Sequence, residues 1–180
     1  MYFKKQHIHF FIIFLMILAG CQNRPYHYKE KEKTGESQKE ALLRVNKFLV
    51  KKDREMIQKF AERRGWDMKT TERGLYYQIY LHGNGPKATH GAEVTINYTL
   101  QLLDGTFVTP EDKTTGKTLH LGSDDNESGL YEGLLLMHAG DEARFIIPPH
   151  LGQGLLGSNK KIPPRAVLIY DVKLESVKAK

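Results

Sequence analysis

Cysteine is nearly absent from this chain of 180 residues: Cys21 stands alone. That excludes an intramolecular disulfide and any zinc site built on paired cysteines. The histidines do not supply a metal site either. They stand at 7, 9, 27, 82, 90, 120, 138 and 150, and no pair shows the i, i+4 helical spacing with glutamate that zinc proteases use. The acidic run Asp124-Asp125-Asn126-Glu127 lacks the alternate-residue spacing of a calcium loop and reads as a solvated turn. No serine or cysteine stands in a recognisable nucleophile motif. No metal and no cofactor are expected. A large charge of one sign is also missing: the net charge is +6 and falls to about +4 once Lys4 and Lys5 go with a leader segment. The basic residues sit mostly among acidic ones, as in Lys29-Glu30-Lys31-Glu32-Lys33, which argues for solvated faces and against a nucleic-acid partner.

A hydrophobic run long enough to cross a membrane is absent as well. The stretch from Phe10 to Leu18 is too short to span a hydrocarbon core of about 30 Å as a helix. With Lys4 and Lys5 before it and Ala19-Gly20 after it, residues 1–20 read instead as a signal peptide. Leu18-Ala19-Gly20-Cys21 resembles the bacterial lipobox, whose cysteine is acylated and becomes the mature N-terminus. A plain secretory signal with a spare cysteine is the alternative. Two or more acyl chains on Cys21 would hold the protein on a membrane without spanning it, because each buried methylene contributes about 0.8 kcal/mol. The expected location is therefore the bacterial cell envelope, lipid-anchored and facing the periplasm or the exterior.

Residues 21–39 are almost wholly polar or charged and cannot bury enough surface to offset their ordering entropy, so they read as a flexible tether. Residues 40–74 read as a helical extension. From Glu36 to Arg64 there is neither proline nor glycine, Ser37 offers an N-cap, and Leu42, Val45, Leu49, Met56 and Phe60 recur near helical spacing. Lys52 interrupts that stripe, so a bend or a second helix near Asp53 is open. The helix is expected to pack on its own domain, to dimerise or to meet a partner.

From 75 to 178 the period changes. Leu75–Leu81 and Val94–Leu102 read as strands, and Asp104-Gly105 as a hairpin with a third strand from about Thr106. Tyr131–Met137 reads as a brief helix closed by Ala139-Gly140, and Glu142–Ile147 and Ala166–Leu174 as further strands bounded by proline pairs. Strands on both sides of one short helix predict an antiparallel α+β domain. Gly152-Gln153-Gly154-Leu155-Leu156-Gly157 fits a dinucleotide fingerprint letter by letter, but Ser158 to Pro164 cannot supply the phosphate-binding helix that motif requires, so a glycine-rich loop is expected.

One combination is specific. Val94–Thr99, Asp104-Gly105-Thr106, Leu121-Gly122, Gly129-Leu130-Tyr131-Glu132-Gly133-Leu134, Met137–Gly140, Ile147-Pro148-Pro149, Gly154 and Ile162-Pro163-Pro164 through Leu174 follow in an order that resembles the FK506-binding-protein (FKBP) family of prolyl isomerases from about Gly91 to Ser176. With the leader, lipobox and extension, the whole chain is similar to the gliding-motility-associated FKBP-type lipoproteins of Bacteroidetes.

The resemblance implies a twisted antiparallel sheet wrapped around one short helix, with an apolar cavity between them. It implies isomerisation of proline bonds in envelope proteins, catalysed by Tyr98, Ile162, Tyr170 and Leu130, with substrate contacts from Phe107, Val108 and Gln153. Several positions depart from the family. Leu130 replaces a tryptophan at the cavity floor, Asn126-Glu127 replaces a Val-Ile pair, Gln153 replaces a tyrosine, and Val108-Thr109 aligns with a Phe-Asp pair unless a one-residue gap restores Phe107. The tryptophan, tyrosine and phenylalanine losses remove aromatic surface, and the Val-Ile loss removes aliphatic surface. Three functions therefore stay open: a prolyl isomerase, a non-catalytic chaperone or assembly module, and a purely structural lipoprotein. For Tyr98, Leu130 and Tyr170, ordinary core packing is the alternative role.

Overall fold

The computed structural model describes residues 35–109, 114–122, 128–152, 157 and 161–178. The leader, Cys21 and most of the tether fall outside these residues, as do Asn126, Glu127, Gln153 and Gly154. The chain divides into two compact units, Met1–Ala41 and Leu42–Lys180. Of the first, only the opening turns of a helix lie among the described residues.

Helix α1 runs from Gly35 to Arg63 without a break. It starts inside the segment expected to be tether, so residues 35–39 are helical. It does not divide at Asp53, because the carboxylate that would disfavour a mid-helix position accepts a hydrogen bond from Arg165 at 2.7 Å. The helix ends on Gly65, whose φ of 64° suits glycine, and Trp66 N–H donates back to Ala61 O. The apolar stripe is buried only in its last part: Ile57 and Phe60 are buried, while Leu42, Val45 and Met56 are exposed.

Six strands form one antiparallel sheet in the order β1-β2-β5-β6-β3-β4: β1 Lys69–Thr70, β2 Tyr76–Leu81, β3 Glu93–Leu102, β4 Thr114–His120, β5 Glu142–Ile147 and β6 Leu168–Lys178. β1 falls within the extension expected to be helical. Alternation decides the faces. Val94, Ile96, Tyr98, Leu100 and Leu102 of β3, and Leu168, Tyr170, Val172 and Leu174 of β6, all join one core cluster. Tyr76, Ile146, Val167 and Ile169 point the other way and meet Ile57, Phe60 and Ala61 of α1.

Two expectations are corrected. The Asp104-Gly105 turn forms, with Gly105 at φ 89°, but the strand after it does not begin near Thr106. Only Phe107 bridges back to Gln101. Val108 N–H then donates to Leu100 O at 2.8 Å while Leu100 N–H goes to the Thr109 hydroxyl at 2.9 Å, which ends regular pairing before β4 starts at Thr114. The short helix α2 spans Ser128–Leu134, three residues earlier than expected at its start, and Gly140 does not cap it. Gly140 instead serves the turn into β5, donating its N–H to Leu174 O at 2.6 Å.

Glycine sets the seat of α2 on the sheet. A Cβ on Gly133 would meet the Phe145 ring at 2.7 Å, and one on Gly129 would meet Ile147 at 2.5 Å. The two glycines stand four apart on one helical face, so the backbone of α2 lies directly on β5. The N–H of Gly129 also donates to Leu151 O at 2.7 Å, tying the helix start to the loop after β5.

Candidate active site

Tyr98 and Tyr170 lie on adjacent strands of the sheet face that α2 covers. β3 and β6 pair so that Leu100 faces Tyr170 and Tyr98 faces Val172, which places the two tyrosines diagonally on one side. Their ring centroids are 5.5 Å apart with planes tilted by 37°, a favourable aromatic arrangement. Both side chains are buried, as is Leu130 on α2, and all three belong to one core cluster with Ile162. Val108 packs against the same cluster. The four residues expected to be catalytic thus share one core cluster, against which Val108 packs, and two of them, Tyr98 and Tyr170, are in ring contact.

Phe107 is not brought in with them. It is 39 % exposed, whereas its neighbour Val108 is half-buried and fixed by its N–H bond to Leu100. Of the two residues that the sequence left as alternatives, Val108 is the one that packs against the core cluster. Gln153 lies outside the described residues.

Several contributors carried no sequence signal strong enough to single them out. Lys117 on β4 holds its ammonium 5.3 Å from the Tyr98 ring centroid, within cation–π range. Lys161 donates to Val108 O at 3.4 Å, linking the residue before Ile162 to the opposite loop. Gly157 has φ 72°, and a Cβ there would fall 2.2 Å from Ile162 O, so only glycine lets this loop back against Ile162-Pro163. The fingerprint-like glycines therefore include one with a defined packing role in a loop.

Arg165 adopts a left-handed φ of 59°, uncommon for a residue with a Cβ. Its guanidinium is held by Asp53 of α1, and it lies three residues after Ile162. Asp141, at the other end of the domain, is 1 % exposed and accepts N–H bonds from Gly83 at 2.6 Å and His138 at 2.7 Å. It closes the turn from which β5 starts.

The arrangement offers stacked aromatic faces and aliphatic walls in a desolvated setting. That can seat a compact apolar ring and strip water from an amide beside it. An antiparallel sheet laid over a short glycine-seated helix, with a buried tyrosine pair on the covered face, is the architecture expected of an FKBP-type domain.

Sequence comparison makes this specific. Residues 85–175 match the profile of the FKBP-type peptidyl-prolyl cis-trans isomerase family, and the chain belongs to that family. A probable FKBP-type peptidyl-prolyl cis-trans isomerase of Haemophilus influenzae is 35 % identical over 117 residues, covering 65 % of this chain and 48 % of that protein. The FKBP-type isomerase FkpA of Escherichia coli is 30 % identical over 178 residues, covering 90 % of this chain and 63 % of the relative. The crystal structure of FkpA from Escherichia coli superposes with a TM-score of 0.61 at 29 % identity, covering 80 % of this chain and 67 % of that one. The chain spans about half the length of curated relatives such as the Haemophilus protein.

Proposed function

We propose that this chain is a peptidyl-prolyl cis-trans isomerase that assists the folding of proline-containing proteins of the bacterial cell envelope, held at a membrane by acylated Cys21 and facing the periplasm or the exterior. The observation that carries the catalytic part is the Tyr98–Tyr170 pair, 5.5 Å apart on a buried sheet face and in one core cluster with Leu130 and Ile162. Rotation about an X-Pro bond faces a barrier of about 18–20 kcal/mol because amide resonance must be lost. No nucleophile is needed to lower it. A cavity that holds the proline ring on aromatic faces and desolvates the amide favours the twisted form, in which resonance is already broken.

The lipid anchor rests on Leu18-Ala19-Gly20-Cys21 and the leader before it. Likeness to gliding-motility-associated lipoproteins belongs to the same proposal and rests on the order of leader, lipobox, helix and domain. Mass spectrometry of the membrane-extracted chain tests the anchor: diacylglycerol on Cys21 supports it, and an unmodified Cys21 overturns it.

The catalytic reading is tested by isomerisation of a proline peptide and by refolding of a protein limited by proline isomerisation. The parent is expected to accelerate both, with a loss of roughly tenfold in Tyr98→Ala and in the more conservative Tyr98→Leu, since a buried aromatic contact contributes about 1.5 kcal/mol beyond its area. A folded parent that accelerates neither would sink catalysis. One observation favours a second reading in that event. Leu130 stands at the floor and Phe107 faces solvent at 39 % exposure, so the cleft has less aromatic surface than the family pattern. A non-catalytic chaperone or assembly module would keep the fold and bind unfolded proteins without accelerating either reaction.

A further inference from the structure

Helix α1 continues an apolar stripe past the place where the domain stops. Asp53, Ile57, Phe60 and Ala61 face the sheet. Leu42, Asn46, Leu49 and Val50 stand eleven residues earlier in each case, three helical turns, and so occupy the same stripe. Here the stripe has no sheet beneath it: Leu42 is 65 % exposed and Val50 42 %. Leu43, Val45 and Phe48 are exposed as well, Phe48 at 66 %. At 100° per residue the apolar side chains from Phe48 round to Leu43 sweep an arc of about 220°.

The charges on this segment have one sign. From Leu42 to Lys52 there are four cations, Arg44, Lys47, Lys51 and Lys52, and no carboxylate. Arg44, Lys47 and Lys51 fill the remaining arc; Asn46 and Lys52 interrupt the apolar one, and the long stem of Lys52 can carry its ammonium outward. A partner helix covers a narrower seam than 220° and leaves the flanks wet. A second copy would also bring cations against cations. A wide apolar arc backed by a basic one is what an interfacial helix presents to a bilayer carrying anionic headgroups.

We propose that residues 42–52 of α1 are an interfacial membrane-binding segment that recognises an anionic lipid surface. Leu42, Leu43, Val45, Phe48 and Val50 enter the headgroup boundary, and Arg44, Lys47 and Lys51 pair with lipid phosphates. This contact is separate from any lipid on Cys21 and stands whether or not Cys21 is acylated. It also does not depend on catalysis.

The test is hydrogen exchange of the full chain with vesicles of phosphatidylcholine containing phosphatidylglycerol, and with phosphatidylcholine alone. Residues 42–52 are expected to become protected on the anionic vesicles, to lose that protection in high salt, and to show at least about tenfold weaker partition in Lys47→Glu/Lys51→Glu and in Phe48→Ser. Slow exchange in residues 42–52 that depends on protein concentration without vesicles would assign the face to a second copy and overturn the proposal. So would exchange unchanged by anionic vesicles, or equal protection on both vesicle types. Retention of the whole chain on neutral vesicles with residues 42–52 still exchanging freely reports the Cys21 anchor alone and likewise overturns this segment's role.

Discussion

The two faces of the sheet are built to different depths. On one, every second residue of β3, of β5 and of β6 as far as Leu174 joins a core closed by α2, and Phe145, Ile147, Leu134 and Leu174 have no exposure. On the other, a few side chains of β2, β5 and β6 meet Ile57, Phe60 and Ala61 of α1, with Trp66 and Met68 packed at the margin. The deep face carries the tyrosine pair; the shallow face carries a polar latch, Asp53 to Arg165. The tyrosine pair proposed to act by excluding water thus sits where burial is greatest, and the ion pair sits where the core is thin.

The comparison breaks first at Gly133. A Cβ there lies 2.7 Å from the Phe145 ring, so Gly133→Val forces α2 off the deep face. The expected cost is about 3 kcal/mol, read as a fall in the urea midpoint, with isomerase activity lost alongside because Leu130 moves with the helix. Full activity in this variant would show that α2 does not form the cleft wall.

The shallow face is expected to break more gently and more informatively. Asp53→Ala leaves the half-buried Arg165 without its carboxylate, at a cost of about 2 kcal/mol. The domain should stay folded on its deep core. Arg165 lies close to Ile162 in the chain, so the prediction extends to function: activity falls while the deep-face unfolding cooperativity remains. Arg165→Gly tests the same loop from the other side, since glycine adopts the left-handed φ at no steric cost. It should lose the ion pair yet keep the turn, and therefore lose less activity than Asp53→Ala does.

Titration sharpens the contrast at Tyr80, whose ring lies under the Arg144 guanidinium, 4.4 Å from the ring centroid. Partial burial first, and then a 2.8 Å hydrogen bond to Asp171, raise the Tyr80 hydroxyl well above its usual value near 10. The folded chain therefore holds this proton after the unfolded chain has released it. Stability from this group is complete below about pH 10 and declines as pH rises above it. Tyr80→Phe should flatten the alkaline limb of stability against pH; an unchanged slope would remove Tyr80 from the explanation.

The strands of both faces were legible because alternation is a direct consequence of the pleat. β5 was bounded from sequence to the residue, Glu142–Ile147, since Pro148-Pro149 cannot continue a ladder. The stretch after Asp104-Gly105 was misjudged because a turn signal says nothing about whether pairing continues past Phe107; that is decided by Thr109, whose hydroxyl takes the Leu100 N–H. The start of α2 was missed because Ser128-Gly129 reads as a loop until the sheet beneath makes glycine a contact residue. Tyr98, Tyr170, Leu130 and Ile162 were named from the family pattern alone, and that they share one cluster is a tertiary fact. Lys117, Lys161 and the Asp53–Arg165 pair were invisible, since a lysine on a strand or an aspartate on a helix gives no local sign of a partner 112 residues away.

The smallest effect separates the floor of the cleft from its rim. Phe107 is 39 % exposed and lies outside the core cluster, so Phe107→Ala should change stability by less than about 0.5 kcal/mol. A rim residue touches the substrate equally before and during bond rotation, and removing such uniform binding raises KM with kcat unchanged. Tyr98→Leu, by contrast, removes a ring from the desolvated floor and should lower kcat. If Phe107→Ala lowered kcat as Tyr98→Leu does, Phe107 would have to fold inward in the substrate complex, and the wall assigned to Val108 would be shared between the two residues.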